Sequence, residues 1–190
     1  MKRALILHGL HANASENWFP WLKTQLEAEG YEVWVPDLPG ADHPEAAKWV
    51  AYLLRSSWDF NQSLVIGHSA GAVAALYLAQ SLPPSIRLRG VVAVSAFLPM
   101  PNEHELYNDL KDLHSEPFNF EKMKAGCDNF LFVHSDNDQY CPLEGAVELA
   151  KQTGGQLSLL RGGQHFSAED NPAFVAFPRL VEMMKKHLLV

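Results

Sequence analysis

Leu64-Val65-Ile66-Gly67-His68-Ser69-Ala70-Gly71-Ala72-Val73-Ala74-Ala75-Leu76 joins a short apolar run to an alanine-rich one through two glycines that bracket a serine. The first part reads as a strand buried on both faces, the second as a helix built of strong helix formers. A strand that passes at once into a helix is half of a βα unit. The junction Gly67-His68-Ser69-Ala70-Gly71 fits Gly-x-Ser-x-Gly, which chance alone gives in about one chain in twenty of this length. Strand before and helix after are what give the pattern chemical meaning. A serine in such a turn stands clear of the sheet at a helix N-terminus, where backbone N–H groups favour developing negative charge. Strand and helix approach closely there, so the positions two before and two after the serine must be small.

Outward from this junction the same units recur. Apolar runs at residues 4–7, 31–35, 63–66, 91–94, 130–133 and 156–160 predict six strands, near-continuous rather than alternating. Helical stretches lie between them. Pro20 opens one that stops at Gly30, Pro44 opens another carrying Trp49, Tyr52 and Leu53, and Pro142 opens one ending at Gly154-Gly155. Residues 70–79 form a helix closed by Pro83-Pro84. Asn171-Pro172 starts the last helical region, which Pro178 breaks or restarts before residues 179–189. Strands alternating with helices predict an α/β fold: a three-layer sandwich with a mainly parallel six-stranded sheet and helices on both faces. The 190 residues fit one domain, 1–190, in which the irregular, charged segment 97–127 is expected to form a small cap.

A serine hydroxyl is a weak nucleophile until a base takes its proton. Of nine histidines, His165 follows the last strand on a separate loop, at the sheet edge where sites on open α/β sheets collect. The orienting acid is expected between serine and histidine, after the penultimate strand. Residues 133–142 supply Asp136 and Asp138 there; Asp138 is assigned the role, and Asp136 is expected to close the turn with Asn137. Two N–H donors are needed for an oxyanion: Ala70 after the serine, and Leu10 in the His8-Gly9-Leu10-His11 loop after the first strand, where Gly9 is expected to allow a sharp turn. Trp18 and Phe97, near the two strand ends, are candidates to wall an acyl pocket.

These motifs resemble the α/β-hydrolase superfamily, and more narrowly the small retinoblastoma-binding protein 9 family of serine hydrolases. The narrower likeness rests on His8-Gly9 with Asn17-Trp18 and Pro20-Trp21-Leu22, Asp37-Leu38-Pro39, Gly67-His68-Ser69, Asp138 with Pro142, and Gly163 with His165-Phe166. The resemblance spans essentially the whole chain. It implies a triad of Ser69, His165 and Asp138, and a sheet without the superfamily's first antiparallel hairpin. The family's association with protein binding is not carried over, because the chain has no Leu-x-Cys-x-Glu string.

Composition removes other classes. The formal charge is −7 and the fifteen lysines and arginines are scattered, so neither nucleic acid nor an anionic membrane is an expected partner. Two cysteines outside any metal spacing suit a reducing compartment, and no apolar run reaches the length of a signal core or membrane span. A cytoplasmic address is expected. The sequence thus points to a hydrolase of a small-molecule ester, thioester or amide that needs no metal or organic cofactor. Two alternatives remain: a catalytically silent relative that binds a protein partner, and a metal site made by His8, His11 and Asp37.

Overall fold

Six parallel strands form one sheet in the order β2-β1-β3-β4-β5-β6. They are β1 (Lys2–Leu7), β2 (Tyr31–Trp34), β3 (Leu64–His68), β4 (Gly90–Val94), β5 (Phe130–Ser135) and β6 (Gln156–Leu160). The protein is described here by a computed structural model, over residues 1–114 and 116–188. All six strand expectations hold.

Strand side chains alternate between two apolar layers, as the period of two requires. Leu5, Leu7, Val65, Val91 and Phe132 face the layer covered by α2 (Ala46–Leu54), α3 (Ala70–Ser81), α5 (Phe120–Gly126) and α6 (Leu143–Thr153). Ala4, Ile6, Leu64, Val92 and Val133 face α1 (Phe19–Ala28) and α7 (Pro178–His187). Burying both faces explains the continuous apolar runs, and each buried Val, Leu or Ile contributes about 1.5–3 kcal/mol.

Residues 70–79 of α3 are all buried. A helix apolar on every side must be covered on every side. α2 and α5 both pack against it, and small residues let them approach: a Cβ on Gly126 of α5 would lie 2.0 Å from the Ala79 carbonyl oxygen. Gly154 closes α6 in the left-handed region, with φ 70°. Pro178 opens α7 after a 3₁₀ turn at Pro172–Val175, so it restarts a helix. Leu189, the end foreseen for that helix, lies outside the described residues.

The segment 97–127 is more ordered than its composition suggests. It holds α4 (Tyr107–Leu110) and α5, whose first turn is capped by Asn119 accepting from the Lys122 N–H at 3.0 Å. α5 belongs to the helical layer rather than to a cap. Leu106 and Leu110, beside and within α4, are the part of this segment that reaches the site. Neither helix is long enough to show a 3.6-residue pattern in sequence.

Candidate active site

The loops that follow β1, β3, β4, β5 and β6 meet at a cavity of about 520 Å³, lined among others by Gly9, Leu10, Ser69, Cys141 and His165. Ser69 is the residue between β3 and α3. Its backbone stands at φ 55°, ψ −121°, a strained position for a residue with a Cβ. The neighbouring glycines are required by contact. A Cβ on Gly67 would sit 2.3 Å from the Gly71 carbonyl oxygen, and one on Gly71 2.4 Å from that of His8.

Gly9 serves a different purpose from the one read in the sequence. Its φ is not positive. A Cβ there would meet the Ser69 Cβ at 3.1 Å and the His68 carbonyl oxygen at 3.2 Å. Gly9 therefore lets the β1 loop lie directly on the serine. Gly9→Ala should push the two apart by a few tenths of an ångström. An expected loss of about tenfold to a hundredfold in kcat/KM with little change in melting temperature follows, because small misplacements near reacting atoms are expensive. Steady-state kinetics beside a thermal melt checks it; an unchanged kcat/KM would show that the loop tolerates the shift.

His165 lines the same cavity as Ser69, and Asp138 holds its Nδ1. His165 Nδ1 lies 3.0 Å from each carboxylate oxygen of Asp138. The carboxylate also accepts from Ser95 Oγ at 2.7 Å, from the Tyr140 N–H at 3.0 Å and from the Cys141 N–H at 2.9 Å. Burial alone would push the Asp138 carboxyl up, but the bonds from His165, Cys141 and Ser95 hold it below the ordinary carboxylate range. It stays ionised.

The His165 loop is strained and tightly stapled. Gln164 and Phe166, on either side of His165, have φ of 51° and 54°. Three successive N–H groups donate to side chains after β5: Gly162 to Asp136 Oδ1, Gly163 to Ser135 Oγ and Gln164 to Asn137 Oδ1, at 2.8–2.9 Å. Two carbonyls are held from the other side, His165 by His68 Nε2 at 2.7 Å and Phe166 by Trp18 Nε1 at 3.0 Å. Asp136 is thus part of a strap to the histidine loop, a correction to its expected role as a local turn residue. Nothing in the sequence assigns a supporting role to Ser135, Ser95 or His68. The available signal was a polar side chain at the end of each otherwise apolar strand run.

His68 is fully buried, and burial first, then the neighbouring His165, lowers its pKa to about 3. It remains a neutral Nε2–H donor. Its ring centroid lies 4.8 Å from that of His165, and the Trp18 ring packs edge-on to it.

Trp18 and Phe97 do not wall the cavity. Trp18 is 0% exposed beneath His68 and its indole is committed to the Phe166 carbonyl; Phe97 is 1% exposed in the opposite apolar layer, edge-on to His114. Trp18 precedes α1 and Phe97 follows β4, but both side chains turn into the core. Leu10, Leu106, Leu110 and Tyr140 supply the apolar lining instead. Of the oxyanion candidates, Leu10 lines the cavity, and Ala70 is the first residue of α3, whose amide belongs to those a helix leaves without an intrahelical partner.

The histidine-based metal alternative fails. His8 Nε2 accepts from the Leu38 N–H at 2.8 Å and Nδ1 donates to the Gly9 carbonyl at 2.9 Å, so neither nitrogen is left for a metal. Asp37 accepts from the Ala14 N–H and His11 pairs with Asp42.

Known proteins share this fold over most of their length. The chain is 24% identical over 187 residues to the putative hydrolase YdeN of Bacillus subtilis, covering 98% of this chain and 96% of the relative. It is 24% identical over 173 residues to the serine hydrolase RBBP9 of Rattus norvegicus, covering 90% and 88%. The crystal structure of the B. subtilis ydeN gene product superposes with a TM-score of 0.88 over 98% of both chains. Est1E from Butyrivibrio proteoclasticus with bound ferulic acid, 16% identical, superposes at 0.74 over 100% of this chain and 90% of its own. Among the described residues no helix is long and apolar enough to cross a membrane. The sequence model of the serine hydrolase family matches residues 4–186, and with the fold and the strand-end serine it places this chain in that family.

Proposed function

We propose that the protein is a carboxylesterase-like hydrolase of small acyl esters, thioesters or amides, working through a Ser69–His165–Asp138 triad. One observation carries the reading: the strained serine between β3 and α3 opens onto the cavity that also holds His165, whose far nitrogen is pinned by a buried carboxylate.

Asp138 fixes the proton on Nδ1, which leaves Nε2 free to accept from Ser69. Ser69 attacks the acyl carbon, and the charge that develops on oxygen is met by the N–H groups of Ala70, at the start of α3, and Leu10, in the loop after β1. His165 returns the proton to the leaving group, then activates water to release the acid. His68 stays neutral throughout, so His165 alone carries the charge formed in each step. The strap from residues 135–137 keeps the imidazole in place while its protonation changes. The partner is a small molecule and the setting proposed is the cytoplasm, where Cys127 and Cys141 remain free thiols.

A fluorophosphonate probe tests the assignment. Mass spectrometry should find one adduct per chain, on the peptide bearing Ser69; an adduct on another serine would overturn it. The cavity volume lies toward the small end of the ligand-pocket range, and Leu106 and Leu110 close one side. Across p-nitrophenyl esters from acetate to palmitate, kcat/KM should peak at about two to six carbons. The gain should approach about 0.8 kcal/mol per methylene until the pocket is filled. A maximum at twelve carbons or longer would contradict the shallow pocket.

A further inference from the structure

Cys141 occupies a place where the hydrolytic steps need no thiol. Its peptide is fixed at both ends: the N–H donates to Asp138 Oδ1 at 2.9 Å and the carbonyl accepts from His134 Nε2 at 2.8 Å. Its side chain is buried, and Cys141 and Ser69 line the same cavity. One donor atom each from Cys141, His165 and Asp138 lies within 4.8 Å of the other two.

A tetrahedral zinc ion holds sulfur and nitrogen about 3.6 Å apart, and nitrogen and oxygen about 3.3 Å. His165 Nδ1 and the Asp138 oxygens, at 3.0 Å, already stand close to that second spacing. The sulfur needs to close by about 1 Å at most, within reach of a side-chain rotation. Thiolate, imidazole and carboxylate together favour zinc over magnesium or calcium. Cys141 and His165 both line the cavity, which provides an entry path and an open fourth position for water or the Ser69 oxygen.

We propose that Asp138, Cys141 and His165 form a zinc-binding site whose occupation switches the hydrolase off. Binding releases the thiol proton to solvent and, as Nδ1 becomes a ligand, moves the ring proton to Nε2, so His165 can no longer take the proton of Ser69. Only the inhibitory consequence rests on the triad reading. The binding itself does not.

Zinc chloride titrated into metal-free protein, in a weakly coordinating buffer with a chromophoric chelator as competitor, reads binding directly. Hydrolysis of p-nitrophenyl butyrate reads the consequence in parallel. One zinc per chain is expected, with inhibition that follows occupancy and is reversed by excess chelator, while magnesium does nothing. Cys141→Ser should weaken zinc binding at least about tenfold, because a hydroxyl replaces the soft ligand. Ser69→Ala should still bind zinc although inactive, which separates failure of this site from failure of the serine assignment. If Cys141→Ser binds zinc as tightly as the wild type, the ion sits elsewhere and the site is refuted. Full wild-type activity at saturating, chelator-verified zinc refutes the switch.

Discussion

Ser69→Ala should leave a folded protein whose turnover of short p-nitrophenyl esters has fallen by about a millionfold, the scale on which loss of a triad serine is felt. The substitution removes a single oxygen. Alanine and serine share the same Cβ, so the cost of φ 55° is common to both, and the glycines that make room for the turn are untouched. Ser69 lines the cavity, so removing one hydroxyl at its wall opens no buried hole, and stability should change by less than about 1 kcal/mol. Activity and stability are therefore expected to part completely. Residual rate above water, about 10³–10⁴-fold, would come from the oxyanion donors and from binding. Initial rates over a long time course, with a thermal melt on the same sample, decide it. A folded variant retaining more than about 1% of wild-type kcat would remove Ser69 as the nucleophile.

The strands could be read in advance because a parallel sheet buried on both faces leaves a direct mark, a run with no polar interruption, and residues 91–94 and 130–133 show it plainly. Ser69 was legible for a related reason. Gly67 and Gly71 mark places where a Cβ would lie 2.3–2.4 Å from a carbonyl oxygen, which no other residue could allow. The support of the site left no comparable trace. His68, Ser95 and Ser135 act across the sheet edge on loops far away in sequence, His68 on a carbonyl 97 residues on. Nothing local distinguishes such a residue from an ordinary strand-end polar side chain. Trp18 and Phe97 misled for the opposite reason. Their positions before α1 and after β4 were legible, but which way each ring turns is settled by packing: Trp18 fills space against Phe19, His68 and Phe177, with its N–H on the histidine loop. Asp136 and Asp138 illustrate the same limit. Two carboxylates two residues apart look alike in sequence, and it takes the fold to bring one to an imidazole and the other to the Gly162 amide.

That pair gives the sharper of the two large effects. In Asp138→Asn the side-chain oxygen is expected to take the Oδ1 position, because the N–H groups of Tyr140 and Cys141 both donate there and an amide NH₂ cannot accept them. The NH₂ then falls in the Oδ2 position. Ser95 can adjust by turning its hydroxyl from donor to acceptor. His165 cannot adjust without loss. Nδ1 then meets an oxygen already taken by two N–H groups and an NH₂ that can only donate, so it presents its lone pair, which moves the ring proton to Nε2 and leaves no acceptor toward Ser69. Geometry is preserved and the tautomer is wrong, so kcat should fall about ten-thousandfold while the protein stays folded. Asp136→Asn makes the control. Its retained oxygen can still accept from the Gly162 N–H, so the strap survives and kcat should stay within about threefold of wild type. Asp136→Ala removes that acceptor, and the expected loss is mainly in stability, about 1–2 kcal/mol, with the Ser135 and Asn137 bonds still holding the loop. Kinetics and chemical denaturation of the three variants side by side separate the roles. A ten-thousandfold loss in Asp136→Asn, with Asp138→Asn near wild type, would mean that the orienting acid is Asp136.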